Sequence, residues 1–177
     1  LNGTVKNLVV SGSISFSTGG QPGGAIADYM LGGTIQSCTS SASVAGSSGA
    51  FAGGLVGRVE GNVRIENSLV KGSVTGNGAS GAGGLVAWVN SGSLVVQNSS
   101  VESGVVSTSS AYGGFVGSIN SGATVSLTDV LFSGTFAATA TKAGGLVGTN
   151  AGRLYMTNCV ATTSSSPGYA FVAANTG

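Results

Sequence analysis

Charge is what this sequence has least of. Six lysines and arginines and five carboxylates among 177 residues leave a net charge of +1. There is no basic cluster of the kind a nucleic-acid binder needs, and no polybasic segment for a membrane surface. No apolar run approaches the ~20 residues of a membrane helix. We therefore expect no nucleic-acid partner and no membrane insertion. Histidine is absent, which removes a Ser-His-Asp triad and a histidine-held metal site. The glycine-rich stretches lack the Gly-Lys-Ser/Thr ending of a phosphate loop. No catalytic residue, cofactor or metal is expected. Disorder is excluded in turn, because 41% of the residues are hydrophobic and the net charge is small. The chain starts at Leu1 without methionine or a signal-peptide pattern and stops at Gly177 within its pattern. The expectation is a processed chain or a piece of a longer one.

What the sequence does have is a repeat. Paired glycines recur at Gly23-Gly24, Gly53-Gly54, Gly83-Gly84, Gly113-Gly114 and Gly144-Gly145, in steps of 30, 30, 30 and 31 residues. An apolar pair follows each: Ala25-Ile26, Leu55-Val56, Leu85-Val86, Phe115-Val116 and Leu146-Val147, with a decayed sixth copy at Ala170-Phe171-Val172. A second column keeps the same period: Asn7, Ser37, Asn67, Asn98, Asp129 and Asn158. Seven residues beyond each stand Ile14, Val44, Val74, Val105, Phe136 and Ser165, five of them apolar. Two columns of different chemistry on one period mark a repeat architecture.

Within a unit the pattern is that of strands. Val63-Arg64-Ile65-Glu66-Asn67 alternates apolar and polar residues, the period of a half-buried strand. Residues 68–75 follow with Gly72 as a break, then the turn Gly76-Asn77-Gly78 and the apolar run Gly83 to Val89. Glycines and β-branched residues work against helix throughout. One such unit cannot bury its apolar face alone, whereas stacked units build a continuous core. The expected fold is all-β: a single β-solenoid domain over 1–177, with about six coils (1–31, 32–60, 61–91, 92–121, 122–151, 152–177) and roughly three short strands in each. In stacked coils the column from Asn7 to Asn158 has two readings. It is a hydrogen-bonded side-chain ladder, or a row of turn residues.

The run Gly53-Gly54-Leu55-Val56-Gly57, repeated as Gly144-Gly145-Leu146-Val147-Gly148 and nearly so as Gly113-Gly114-Phe115-Val116-Gly117, resembles the GLUG motif of bacterial and protist surface proteins. Ala87 replaces the last glycine of the third copy, and the first reads Gly23-Gly24-Ala25-Ile26-Ala27. The resemblance covers nearly the whole chain. It implies an extracellular or cell-surface β-solenoid, often part of a large adhesin or matrix protein, and no catalytic residues.

Cys38 and Cys159 each follow the asparagine column by one residue. Four coils separate them, about 19 Å by strand spacing, while a disulfide needs Cα atoms within about 7 Å. They are read as free, buried or partly buried thiols, with bonding to a neighbouring chain as the alternative. Asn2-Gly3-Thr4 and Asn98-Ser99-Ser100 are N-glycosylation sequons. Asn2 is the better candidate, since an inward ladder position would leave no room for a glycan on Asn98. The many serines and threonines are open to O-linked sugars. Glu60 and Glu66 are flanked by Arg58 and Arg64, which reads as surface ion pairing rather than a catalytic acid pair. Trp88 and Tyr112 fall in neighbouring coils and could form a sugar-stacking platform or simply pack. Thr4, Thr34 and Thr124 read as one column, interrupted by Asn62 or Val63, Ser93 and Arg153, so no continuous threonine array for ice is seen.

The expected role is a structural or adhesive segment of an extracellular fibre, filament or surface adhesin. It would associate with further repeats or copies of itself through its open strand ends. The divergence at Ala25 to Met30 and the shortening at Ser164 to Pro167 read equally as caps or as docking surfaces. The alternative is a carbohydrate- or ice-binding module whose partner is a glycan or ice.

Overall fold

The computed structural model describes residues 1–17, 19–47, 49–76, 81–107, 112–136, 143–163 and 170–177. Asn77, Gly78, Ser165 and the stretch 164–167 lie outside the described residues. The described chain is all strand and turn and forms a parallel β-solenoid.

Each coil passes through five short strands rather than the three expected. In the third coil these are the second half of Val56–Glu66, then Leu69–Val70, Val74–Gly76, Ala82–Gly83 and Val86–Val89. Every strand pairs in parallel with its equivalent one coil before and after. The break expected at Gly72 separates Leu69–Val70 from Val74–Gly76, and an arch at Gly84-Leu85 divides the run from Gly83 to Val89, so each gives two strands. From Asn2–Lys6 the chain winds five full turns to Arg153–Thr157 and continues along a shorter one to Val172–Asn175.

Stacking turns each repeat position into a column. Val5, Ile35, Ile65, Val96, Leu127 and Met156 are register partners along one inward column. The four middle members are fully buried, and Met156 at the end is 40% exposed. Val44, Val74, Val105 and Phe136 form a second buried column beginning at the half-buried Ile14. Each such side chain contributes about 1.5–3 kcal/mol when removed from water.

Coil lengths differ by single residues. Ser93 pairs with Asn62, a step of 31, while Val86 pairs with Val56, a step of 30. In the first coil Pro22 pairs with Phe51 and Gly24 with Gly53. The apolar pair Ala25-Ile26 therefore lies one residue out of the frame that the glycine spacing suggests. Ile26 donates to the Leu55 carbonyl, and Leu55 to that of Leu85, so Ile26 is the equivalent of Leu55. The offset is restored by an irregularity between Met30 and Gly32, where Leu31 points out and is 59% exposed.

Candidate functional site

The glycine motif is an arch. Its first glycine joins the strand ending at Gly53, Gly83, Gly113 or Gly144 to the strand beginning three residues later. A Cβ on any of these four would overlap the carbonyl oxygen of Val56, Val86, Val116 or Val147 in the same arch. A Cβ on Gly54, Gly84 or Gly114 would overlap the backbone carbonyl of the next coil. The first glycine thus allows the chain to double back, and the second allows coils to stack. The motif is occupied by backbone, with no room for a ligand.

The asparagine column resolves in favour of turns. All six members have left-handed backbones, φ 47° to 56°, a region that asparagine and aspartate tolerate best among side-chain-bearing residues. All six are exposed. Among the described hydrogen bonds, one joins two members of the column, Asn158 Nδ2 to Asp129 Oδ1 at 3.0 Å. The expected ladder from Asn7 to Asn158 is otherwise not there, because the left-handed corner turns these side chains outward. Asn98 accordingly points to solvent, which removes the steric objection to its sequon; Asn2 is exposed as well.

The buried ladder runs one residue later. Ser68 Oγ donates to the Glu66 carbonyl at 2.9 Å and accepts from the Cys38 N–H at 3.2 Å. Ser99 Oγ repeats the pattern with Gln97 and Ser68 N–H, at 2.8 and 3.2 Å. Cys38 and Cys159 stand in the same row, both thiols free, Cys38 buried and Cys159 half-buried. The Cys38 thiol donates to Gln36 O at 3.3 Å and Cys159 to Leu127 O at 3.3 Å. Burial pushes the Cys159 thiol above its usual pKa, with the Asp129 charge adding to the effect.

On the outer surface, Tyr29, Arg58, Trp88, Ser118, Thr149 and Ala174 form one row of register partners. The Arg58 guanidinium lies between two rings, 4.2 Å from the Trp88 centroid and 5.8 Å from that of Tyr29. Phe51 meets Trp88 edge-on at 5.2 Å. Trp88 Nε1 is buried without a hydrogen-bond partner among the described residues, so the ring is seated by its pyrrole edge. Tyr112 is not beside it. It is buried, 5.5 Å from Phe136 inside the solenoid, so the pairing of Trp88 with Tyr112 as a platform does not form. Tyr112 precedes the arch on a strand whose side chain points inward, whereas Trp88 follows the arch and points out.

A polar row runs alongside. Asn120 Nδ2 donates to Asn90 Oδ1 at 2.7 Å, and Asn90 Nδ2 to Glu60 Oε2 at 3.0 Å. Glu60 is ion-paired with Arg58, and Glu66 with Arg64 at 3.0 Å. The local pairing expected for both glutamates is present. The steps of 30 from Glu60 to Asn90 and Asn120 carry this row in the sequence itself. Asn150, 30 residues further, is instead the partner of Ile119, buried and bonded to Asn175 Oδ1 at 2.8 Å.

The threonine column is also corrected. Thr4 pairs with Thr34, and Thr34 with Arg64. Thr124 belongs to the row of Asn62, Ser93 and Arg153. Among the described strands this face presents no regular threonine rank. No family model, curated protein or solved structure matches the chain.

Proposed function

We propose that this chain is a structural coil segment of an extracellular or cell-surface fibre or adhesin, joined through its ends to further coils. The observation that carries the reading is the state of the end coils. Inward columns that are fully buried in the middle finish at half-buried Val5 and Ile14 on one side. At the other end the column of Val5 finishes at Met156, 40% exposed, and the arch column of Leu55 and Leu146 at Phe171, 45% exposed. Leu8, in the row of Cys38, is 40% exposed at the first coil. Another coil laid over either end would bury these side chains and pair open strand edges, as each internal coil does. Such a coil could come from the same polypeptide or from a neighbouring copy. Low charge favours this stacking, since little repulsion opposes it. The resemblance of the glycine arch to the GLUG motif supports the surface location. In this reading the chain performs no catalysis.

Electron microscopy of the native material, with image averaging, tests the proposal. Rods with an axial repeat are expected. Isolated short particles at high protein concentration, with both terminal coils protected from hydrogen exchange, would overturn it.

A second reading, a carbohydrate-binding module, is favoured by the outward Tyr29–Arg58–Trp88 stack and the amide row beside it.

A further inference from the structure

The row carrying Trp88 changes character at the third coil. On one side of the indole stand the large side chains of Arg58 and Tyr29. On the other stand Ser118, Thr149 and Ala174, all small. Arg58 lies over one face of the ring. In the row itself, the neighbours of the ring on its other side are the small side chains of Ser118 and Thr149. The Ser118 and Thr149 hydroxyls are hydrogen-bonded to each other, which gives the step a polar floor. Asn120 flanks the floor. Its Nδ2 is committed to Asn90, and among the described hydrogen bonds its Oδ1 accepts none.

Resting on the carbohydrate reading, we propose that this step is a glycan-binding site in which a pyranose ring stacks its C–H face on Trp88 above Ser118 and Thr149. The chemistry of the step matches that ligand. A pyranose has an apolar face and a rim of hydroxyls, and it needs an aromatic plane beside a few fixed polar groups. The plane here is already held: Arg58 backs one face, and Phe51 packs against the ring at 5.2 Å and 64°, so little side-chain freedom is lost on binding. The two hydroxyl-bearing strands next to Trp88 span about 10 Å at the parallel-strand spacing, room for one or two sugar rings. The Arg58 charge is taken up by Glu60, whose other oxygen accepts from Asn90 and Ser91. A neutral sugar is therefore favoured over an acidic one.

Trp88 is the one tryptophan of the chain, so its fluorescence reports on the site directly. The test titrates the folded protein with cellohexaose, chitohexaose, mannohexaose and xylohexaose at millimolar concentration. It follows Trp88 emission and, independently, heat of binding. A saturable emission change with at least one oligosaccharide is expected. Trp88→Ala should weaken that binding about tenfold or more. Ser118→Leu, which fills the step but keeps the indole, should do the same, and the leucine packed beside the ring should shift Trp88 emission of the free protein to the blue. Circular dichroism checks that each variant is folded. Absence of both heat and emission change with all four sugars overturns the site and the carbohydrate reading together. Binding by heat that survives Ser118→Leu with no change in Trp88 emission overturns the site alone.

Discussion

Ser68 Oγ accepts the Cys38 N–H of the neighbouring coil at 3.2 Å and donates to the Glu66 carbonyl of its own at 2.9 Å. One hydroxyl therefore closes the left-handed corner at Asn67 and ties two coils together. The row in which it stands is buried, so its polar groups have no water to fall back on.

Ser68→Ala should destabilise the protein by about 1–3 kcal/mol, because the buried Cys38 N–H then loses its acceptor. Ser68→Cys should cost less, since a sulfur already serves in this row at Cys159, where the Val130 backbone bonds it. Urea denaturation of both variants compares them. Equal losses would show that the bond to Cys38 carries little.

Glycines of the arch and glycines of the corners should respond very differently to alanine. At Gly54 a Cβ would overlap the backbone of Gly84, which cannot move without unstacking the coil. Gly54→Ala should therefore cost about 4 kcal/mol or more, or prevent folding. Gly122 also has a positive φ, +85°, but nothing lies within 4 Å of its Cβ position. Gly122→Ala should cost about 1–2 kcal/mol, the strain of the left-handed backbone alone. Expression yield and thermal melts of the two variants separate steric overlap from strain.

At Asn67, exposed with φ 51°, the backbone rather than the side chain sets the requirement. Asn67→Gly should leave stability within about 0.5 kcal/mol of the parent, and Asn67→Val should cost about 1–3 kcal/mol. A large loss in the glycine variant would revive a side-chain role for the column.

The two thiols should report on the end coils. Burial raises the Cys159 pKa, so its alkylation should need a higher pH than that of free cysteine. Cys38, fully buried, should react only through unfolding. The sign for stability follows: below the ordinary thiol pKa both folded and unfolded states are protonated and nothing is lost. As pH rises through the raised folded value, the unfolded chain releases its proton more readily and stability falls. Alkylation followed by mass spectrometry over a pH series measures both. If another coil covers Cys159 in the native assembly, its reactivity should fall further on assembly.

The period, the all-β character, the stacking of equivalent positions and the glycine pairs were legible in the residues themselves. Stacking sets like onto like and so buries columns such as Ile35, Ile65, Val96 and Leu127. The direction in which each column faces was decided by the tertiary structure. Asn67 and Ser68 are neighbours on the same period, yet one is solvent-exposed and the other buried, because a single left-handed residue reverses the sense of the next side chain. Register was decided there too. A corner longer or shorter by one residue leaves the spacing of the glycine pairs nearly intact but moves Ile26 onto Leu55, Asn150 onto Ile119 and Thr124 onto Ser93. Spacing along the chain counts residues in corners and strands alike, whereas pairing between coils follows only the strands. Strand face decided the rest: Trp88 follows one arch and points out, whereas Tyr112, 24 residues on, precedes the next arch and points in.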